Sequence, residues 1–533
     1  MAEINHGPLS RARTLPLMGI IALLASISLA SSWWCLARGY VLNYGDAEAH
    51  LNIARRILDS RTPGPEQIGT VWLPLPHVLM VPLVMQDAWW RSGVAGIVPS
   101  AASFVLAGTF LFAAARRVYA SGAAGLAVAL LFALNPNMLY LQSTPMTEPV
   151  FVACLTALLW ALLWFRDLQS WDSQAGLQFP SLQSCLALLA AAAALNAAAL
   201  TRYEGWFLIP FACIYVLLTA RNKWNAVVFA GLASLAPLAW LAQNRFYYGD
   251  ALAFYRGPYS AAAIFERGLA QGMPPYPGYH DWPAAIHYYL DAARLALGWP
   301  LALMAVGGAV VLIASISRIS ILKRVWWALF FLALPAVFYV WSIHSSGTPV
   351  YVPNLWPHSW YNTRYAIPVL PLAAFAGGAL VMLLPPRLRV AAALGLGVVP
   401  AAVWSLAGNP PITWTESEVN STARRAWTHE AAGFLSAHYR PGAGIISGFG
   451  DLTGVLREAG IPLREGLHEG NGTAWIAAVT RPDLFLHEEW ALAFSGDEVS
   501  KAIGRANRGG PHYQMRKRII VEGAPVVEIY QRQ

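Results

Sequence analysis

The sequence predicts an α-helical, polytopic membrane protein with a small soluble α/β domain at its C-terminal end. The chain of 533 residues is 57% hydrophobic and only 12% charged, about half the charged fraction of an ordinary soluble domain. Apolar runs of bilayer-crossing length, roughly 17–25 residues, recur up to residue 408. Charge then rises sharply: residues 412–533 hold 13 basic and 14 acidic side chains, against 23 and 14 in the first 411. The expected division is a transmembrane domain, 1–411, and a soluble domain, 412–533.

Taken in order, eleven spans are expected, near 15–37, 93–115, 122–141, 149–165, 183–200, 206–220, 225–246, 297–316, 325–343, 365–384 and 390–408. The first follows Arg11 and Arg13 as the apolar core of a signal peptide would. Its length and the spans after it favour retention. The connections on one side carry Arg11/Arg13, Arg116/Arg117, Arg166, Arg221/Lys223, Arg318/Lys323/Arg324 and Arg387/Arg389. Short cationic connections mark the cytoplasmic side of a plasma or inner membrane. That places the N-terminus inside and, with an odd count, the soluble domain outside. The pI of about 9.3 belongs to the membrane part and reflects these loop arginines rather than a nucleic-acid surface. Cys35, Cys154, Cys185 and Cys213 all fall in apolar spans, which supports neither a disulfide framework nor a thiolate metal site. No repeat of comparable halves is evident, which weighs against an alternating-access transporter.

The tail reads as helix 421–438, strand 444–447, helix 452–459, helix 497–507 and strands 518–521 and 526–530, enough chain for a core of its own. The outer loops hold nearly all the acidic residues of the membrane part. The first runs from Asn43 to His77. Within it Leu51, Ala54, Ile57 and Leu58 recur at helical spacing with Arg55, Arg56 and Asp59 turned away. That pattern predicts a helix lying along the membrane surface, its arginines level with lipid phosphates. The apolar segment Leu75–Met85 is too short to cross.

Several residues on this side could carry chemistry. Asp46 and Glu48 would share a face in extended backbone and diverge on a helix. They could deprotonate a hydroxyl or hold a divalent cation, or they could simply favour the first turn of a helix. Arg364, Arg202 and Arg245 sit at outer span ends, where a guanidinium fork suits phosphate oxygens but also snorkels to lipid headgroups. His77, in W-L-P-L-P-H, could donate to a phosphate or serve structure alone. Glu148 and Glu204 are ambiguous in the same way, and Arg202 and Glu204 could pair with each other. Trp72, Tyr361, Asn362 and His358 line aromatic loops that could stack on a sugar, though aromatics also belt any membrane interface. Asn420-Ser421-Thr422 and Asn471-Gly472-Thr473 match the glycan-acceptor sequon.

An acidic motif in the first outer loop, a following amphipathic helix, W-L-P-L-P-H at Trp72–His77, T-E-P at Thr147–Pro149 and R-Y-A-I-P-V-L-P at Arg364–Pro371 together resemble the GT-C superfamily. Its members are integral-membrane glycosyltransferases that use polyprenyl-phosphate-linked sugars. The branch resembled holds the protein O-mannosyltransferases and the lipid A aminoarabinose transferases. The resemblance implies a hexosyl- or pentosyltransferase that moves a sugar to an acceptor hydroxyl with inversion, Asp46 acting as base. Arg364, with His77, Arg202 or Arg245, would face the donor phosphate. Glu148, Glu204, Trp72, Tyr361, Asn362 and His358 would form the acceptor and sugar pocket. The family's adjacent acid pair is broken here by Ala47, which leaves open whether Asp46 or Glu48 acts and whether magnesium or manganese binds them. The implied partners are the lipid donor, membrane lipids and an acceptor that is protein, glycan or lipid; nucleic acid is not among them. The alternatives are an oligosaccharyltransferase or ligase using a lipid diphosphate, a lipid or solute transporter, and a non-catalytic scaffold.

Overall fold

The computed structural model describes residues 11–175, 180–314 and 319–533. Of the cationic connections, Arg318 lies outside the described residues, as do the side chains of Arg11, Arg13, Lys323 and Arg324. The chain forms two compact units. A membrane unit takes the helix Arg11–Ala37 with Ser100–Ser143 and Thr147–Trp414. A loop–tail unit takes Arg38–Pro99, Thr144–Met146 and Thr415–Gln533.

Eight helices among the described residues are long and apolar enough to cross a membrane. A ninth span arises if Trp282–Leu297 and Trp299–Ala314 are counted together, although the pair is bent by 108°. Gly298, with φ +72°, makes the bend, in a conformation that a side chain would oppose. The other two expected spans are the shorter apolar helices Gly122–Ala133 and Glu204–Thr219. Proline and short 3-10 stretches interrupt several helices, most clearly at Thr363–Val369 and Ala379–Leu383 on either side of Leu370–Gly378.

In the loop–tail unit the strands are β1 (Ile445–Ser447), β2 (Gly466–Leu467), β3 (Trp490–Phe494), β4 (Tyr513–Ile519) and β5 (Val527–Arg532), in the order β2-β1-β3-β5-β4. β1 lies parallel to β2 and β3, while β5 runs antiparallel to both β3 and β4. Helix Ile412–His438 is longer than expected. The β4 strand begins before the expected 518–521, and the sequence left β3 unmarked. β3 reads W-A-L-A-F, and Trp490, Ala491, Leu492 and Ala493 are all buried. A strand covered on both faces loses the alternation that betrays a strand from sequence.

One core of this unit joins the first loop to the tail. Leu51, Ala54, Met80, Val84 and Trp90 pack with Trp427, Leu435, Ile445, Val455, Trp490 and Ile529. The amphipathic helix of the first loop, Gly45–Arg56, therefore buries its apolar stripe in protein. Its arginines do not face lipid phosphates. Arg55 and Arg56 are themselves buried, because each finds acceptors inside. Arg55 donates to Asp59 at 2.8 Å and to the Val84 carbonyl at 2.5 Å, and lies over Trp90. Arg56 donates to the Gln67 carbonyl at 2.5 Å and lies over Phe449.

Leu51→Ala should destabilise the loop–tail unit by about 2–5 kcal/mol, the usual cost of emptying a buried leucine site. Leu58→Ala, at a residue 45% exposed, should be nearly neutral. Hydrogen exchange of β3 amides under rising denaturant, in the detergent-solubilised protein, measures both.

Candidate active site

Asp46 and Glu48 lie in the first turn of helix Gly45–Arg56, not in extended backbone. Two residues apart on a helix, they diverge by about 200° and cannot share a face. Their environments differ accordingly. Asp46 is half-buried, whereas Glu48 is buried between two arginines of the tail. Glu48 Oε2 accepts from Arg424 Nη1. Oε1 accepts from Arg457 Nε at 3.0 Å and pairs with its Nη2 at 2.9 Å. Gly454 makes room for this carboxylate, since a Cβ there would collide with it. Arg424 also donates to the carbonyls of Leu42 at 3.1 Å and Asn43 at 2.8 Å. Arg457 donates to the Arg91 carbonyl at 2.6 Å.

The turn after β1 brings Asp451 to the start of the same helix, its Oδ1 3.8 Å from where a Gly45 side chain would begin. Asp451 is exposed as a residue, yet its carboxyl is crowded at this turn. That desolvation holds it above the ordinary carboxylate range; Arg424 opposes the shift, while Glu48 and Asp46 add to it. Sequence reading passed over Asp451, Arg424 and Arg457. The run G-F-G-D-L at Gly448–Leu452 has turn composition, but nothing local ties it to residue 46.

The pair Asp46 and Glu48 does not fit magnesium or manganese, because both oxygens of Glu48 are already taken by guanidinium groups. Among the described residues no group of three or more His, Cys, Asp or Glu could hold a metal ion.

His77 is fully buried, and its Nε2 lies 2.9 Å from Nδ1 of His50, whose ring rests on Trp72. Burial first, and then the nearby His50 and Arg56, push His77 well below its usual value. It can donate a hydrogen bond but brings no positive charge. Asn471 is buried as well, with its amide donating to Thr62 Oγ1 at 3.0 Å, so that sequon is occupied by structure.

In the membrane unit, Arg202 and Glu204 do pair, at 2.7 Å. Arg202 also reaches Glu148 at 3.0 Å, Thr147 at 2.8 Å and the Tyr339 hydroxyl at 2.7 Å. That hydroxyl donates in turn to Glu204. Arg364 lies 3.3 Å from Glu148, and both arginines flank the Tyr365 ring. Two guanidinium groups thus face two buried carboxylates, so the cluster balances its own charge, which offsets part of the cost of burying it. Tyr339 was not expected here, because an aromatic near the end of an apolar span reads as core or as part of an interfacial belt. Arg245 stands apart from this cluster: exposed, it donates to the Gly249 carbonyl at the end of its own helix. The loop bearing His358, Tyr361 and Asn362 folds back through a Tyr351–Tyr361 bridge. Asn362, at φ +56°, donates to the Pro349 carbonyl at 2.9 Å, while Tyr361 and His358 are exposed.

Glu48→Gln should cost about 3–5 kcal/mol, because it strands two buried arginines. Asp46→Asn should lower the melting temperature of the purified protein far less. A second expectation concerns acid. His468 is pushed down to about 3 by burial and by Arg56 and Arg61, and its Nδ1 accepts from the Gly470 amide. The unfolded chain therefore binds a proton that the folded chain refuses, so this contribution is full above pH ~6.5 and is lost as pH falls toward 3. His468→Asn, which keeps an acceptor, should flatten the fall in stability with acid by up to about 1.4 kcal/mol per pH unit. Unfolding midpoints between pH 7 and pH ~4 read the slope.

No family model matches the sequence, and no curated protein matches it significantly. Among solved structures, ArnT from Cupriavidus metallidurans is similar in its apo state, with a TM-score of 0.59, and bound to undecaprenyl phosphate, with 0.55. Both comparisons run at 13% identity over 96% of this chain and 98% of that one. The apo oligosaccharyltransferase of Archaeoglobus fulgidus is similar at a TM-score of 0.48 and 12% identity, over 93% of this chain and 71% of that one. With its apolar spans, its C-terminal sheet and its likeness to ArnT over nearly its whole length, the chain has a GT-C-like fold, the fold that its first-loop motifs lead one to expect.

Proposed function

We propose that the protein transfers a sugar from a polyprenyl-phosphate donor to an acceptor hydroxyl at the outer face of the membrane. The fold supports a donor of this kind, since the similar ArnT was captured with undecaprenyl phosphate. The observation that carries the assignment of the base is the commitment of Glu48 to Arg424 and Arg457. Between Asp46 and Glu48, that favours Asp46, half-buried in the first turn of its helix, for the proton-accepting role.

In the proposed reaction Asp46 takes the proton of the acceptor hydroxyl as its oxygen attacks the anomeric carbon. The bond from that carbon to the phosphate oxygen breaks, its electron pair leaves with the lipid phosphate, and the centre inverts. We assign Arg364 and Arg202 to the phosphate side, where delocalised guanidinium charge would steady the leaving group. Glu148 and Glu204 then act by holding those arginines in place, and His77 by hydrogen bonding rather than by charge. Arg245, with its end-of-helix contact, has no part in this reading. The cationic connections support a cytoplasmic N-terminus and an extracytoplasmic soluble domain.

Purified protein incubated with polyprenyl-phosphate sugars and candidate hydroxyl acceptors tests the proposal. Wild type should show transfer, and Asp46→Asn should lose at least about 100-fold in turnover, the range of general-base catalysis. Equal turnover in the two would remove Asp46 from the role.

A further inference from the structure

The loop carrying Asp46 lies against the tail, and a single tail side chain grips it on both sides of that residue. Arg424, on helix Ile412–His438, donates through Nη2 to the carbonyls of Leu42 and Asn43 just before Asp46. Through Nη1 it holds the Glu48 carboxylate just after it. The planar fork spans both because its donors point in fixed, divergent directions, which an ammonium group cannot reproduce. Asn43 is held again from the same helix, its amide donating to Glu418 at 2.7 Å. Arg457 is different. It grips Glu48 and the Arg91 carbonyl but neither carbonyl before Asp46.

We propose that Arg424 is a positioning residue for Asp46, so that the C-terminal domain takes part in catalysis by setting the entry of helix Gly45–Arg56. This rests on the reading of Asp46 as the base. Arg424 touches neither donor nor acceptor in this role. It fixes the backbone from which Asp46 projects, and a displacement of the order of 1 Å in a general base costs on the order of 100-fold in rate. A second consequence concerns the strength of the grip. Both arginines share the work of neutralising Glu48, but of the two only Arg424 restrains the carbonyls of Leu42 and Asn43. Loss of either should weaken the fold comparably, while only loss of Arg424 should disorder the start of the helix.

The test compares Arg424→Gln, Arg424→Lys and Arg457→Gln in the full-length protein with two readouts. Hydrogen exchange of amides 44–50 is the first and needs no turnover. It should rise at least about tenfold in Arg424→Gln and less in Arg457→Gln, with β3 and β5 protected in both. Steady-state transfer is the second: Arg424→Gln should lower kcat about 10- to 100-fold with KM for the lipid donor within about threefold. Arg424→Lys, which keeps charge but loses the fork, should recover only part of that. Equal exchange and equal kcat in Arg424→Gln and Arg457→Gln, at matched stability, would reduce Arg424 to a structural ion pair and overturn the proposal. Local exchange as expected, with no transfer in wild type from any donor, would instead retire the transferase reading while leaving the grip on the loop established. If Arg424→Gln does not fold, Arg424→Lys against Arg457→Gln decides by the same exchange comparison.

Discussion

A carboxylate buried between two arginines is tolerable only if its position is over-determined, and in the loop–tail unit much else depends on Glu48. Removing its charge from water costs several kcal/mol, recovered only with close partners and few orphaned donors. Arg424 and Arg457 meet that demand, and each spends its remaining donors on backbone carbonyls. Gly454 supplies the space. The first loop is thereby tied to the tail in one register, with Asp46 projecting from the same turn. A second tie lies farther along. Asp59 accepts from the Leu463 and Arg464 amides at 3.2 and 3.3 Å, and from Arg55.

This arrangement separates two jobs that adjacent acids in a loop could otherwise confuse. Glu48 holds structure, and the proposed chemistry falls to Asp46. The two differ by 200° on one helix, so the same backbone buries one carboxylate and leaves the other half-buried. The parallel strands add to the picture, because the turn that follows β1 delivers Asp451 to the start of that helix. The carboxyl ends of parallel strands are where α/β folds commonly place ligands. Here the chain's own first loop is bound to the turns that follow β1 and β2, through Arg56 over Phe449 and Gln67 donating to the Gly470 carbonyl at 2.8 Å.

The membrane unit solves the charge problem differently. Arg202, Arg364, Glu148 and Glu204 form a balanced set with Tyr339 closing it. Mutual pairing offsets part of the desolvation cost of such a set and holds its arginines in one orientation.

The sequence by itself determined the class of the molecule. Apolar runs of membrane length and a charged tail are local properties of composition, and they survive in the helices and sheet of the folded chain. The helix following Asn43, the tail's β1 and β5, and the Arg202–Glu204 pair were legible for the same reason, since spacing along a few residues dictates them. Only the tertiary structure decided which acid is committed to the scaffold, because the partners of Glu48 lie 376 and 409 residues away. No periodicity links such positions; they meet because an apolar surface of the first loop and one of the tail are buried against each other in a single core. The same burial turned Arg55 and Arg56 inward, where amphipathic spacing had placed them at lipid. Side chains with long apolar stems follow their acceptors rather than their helical face.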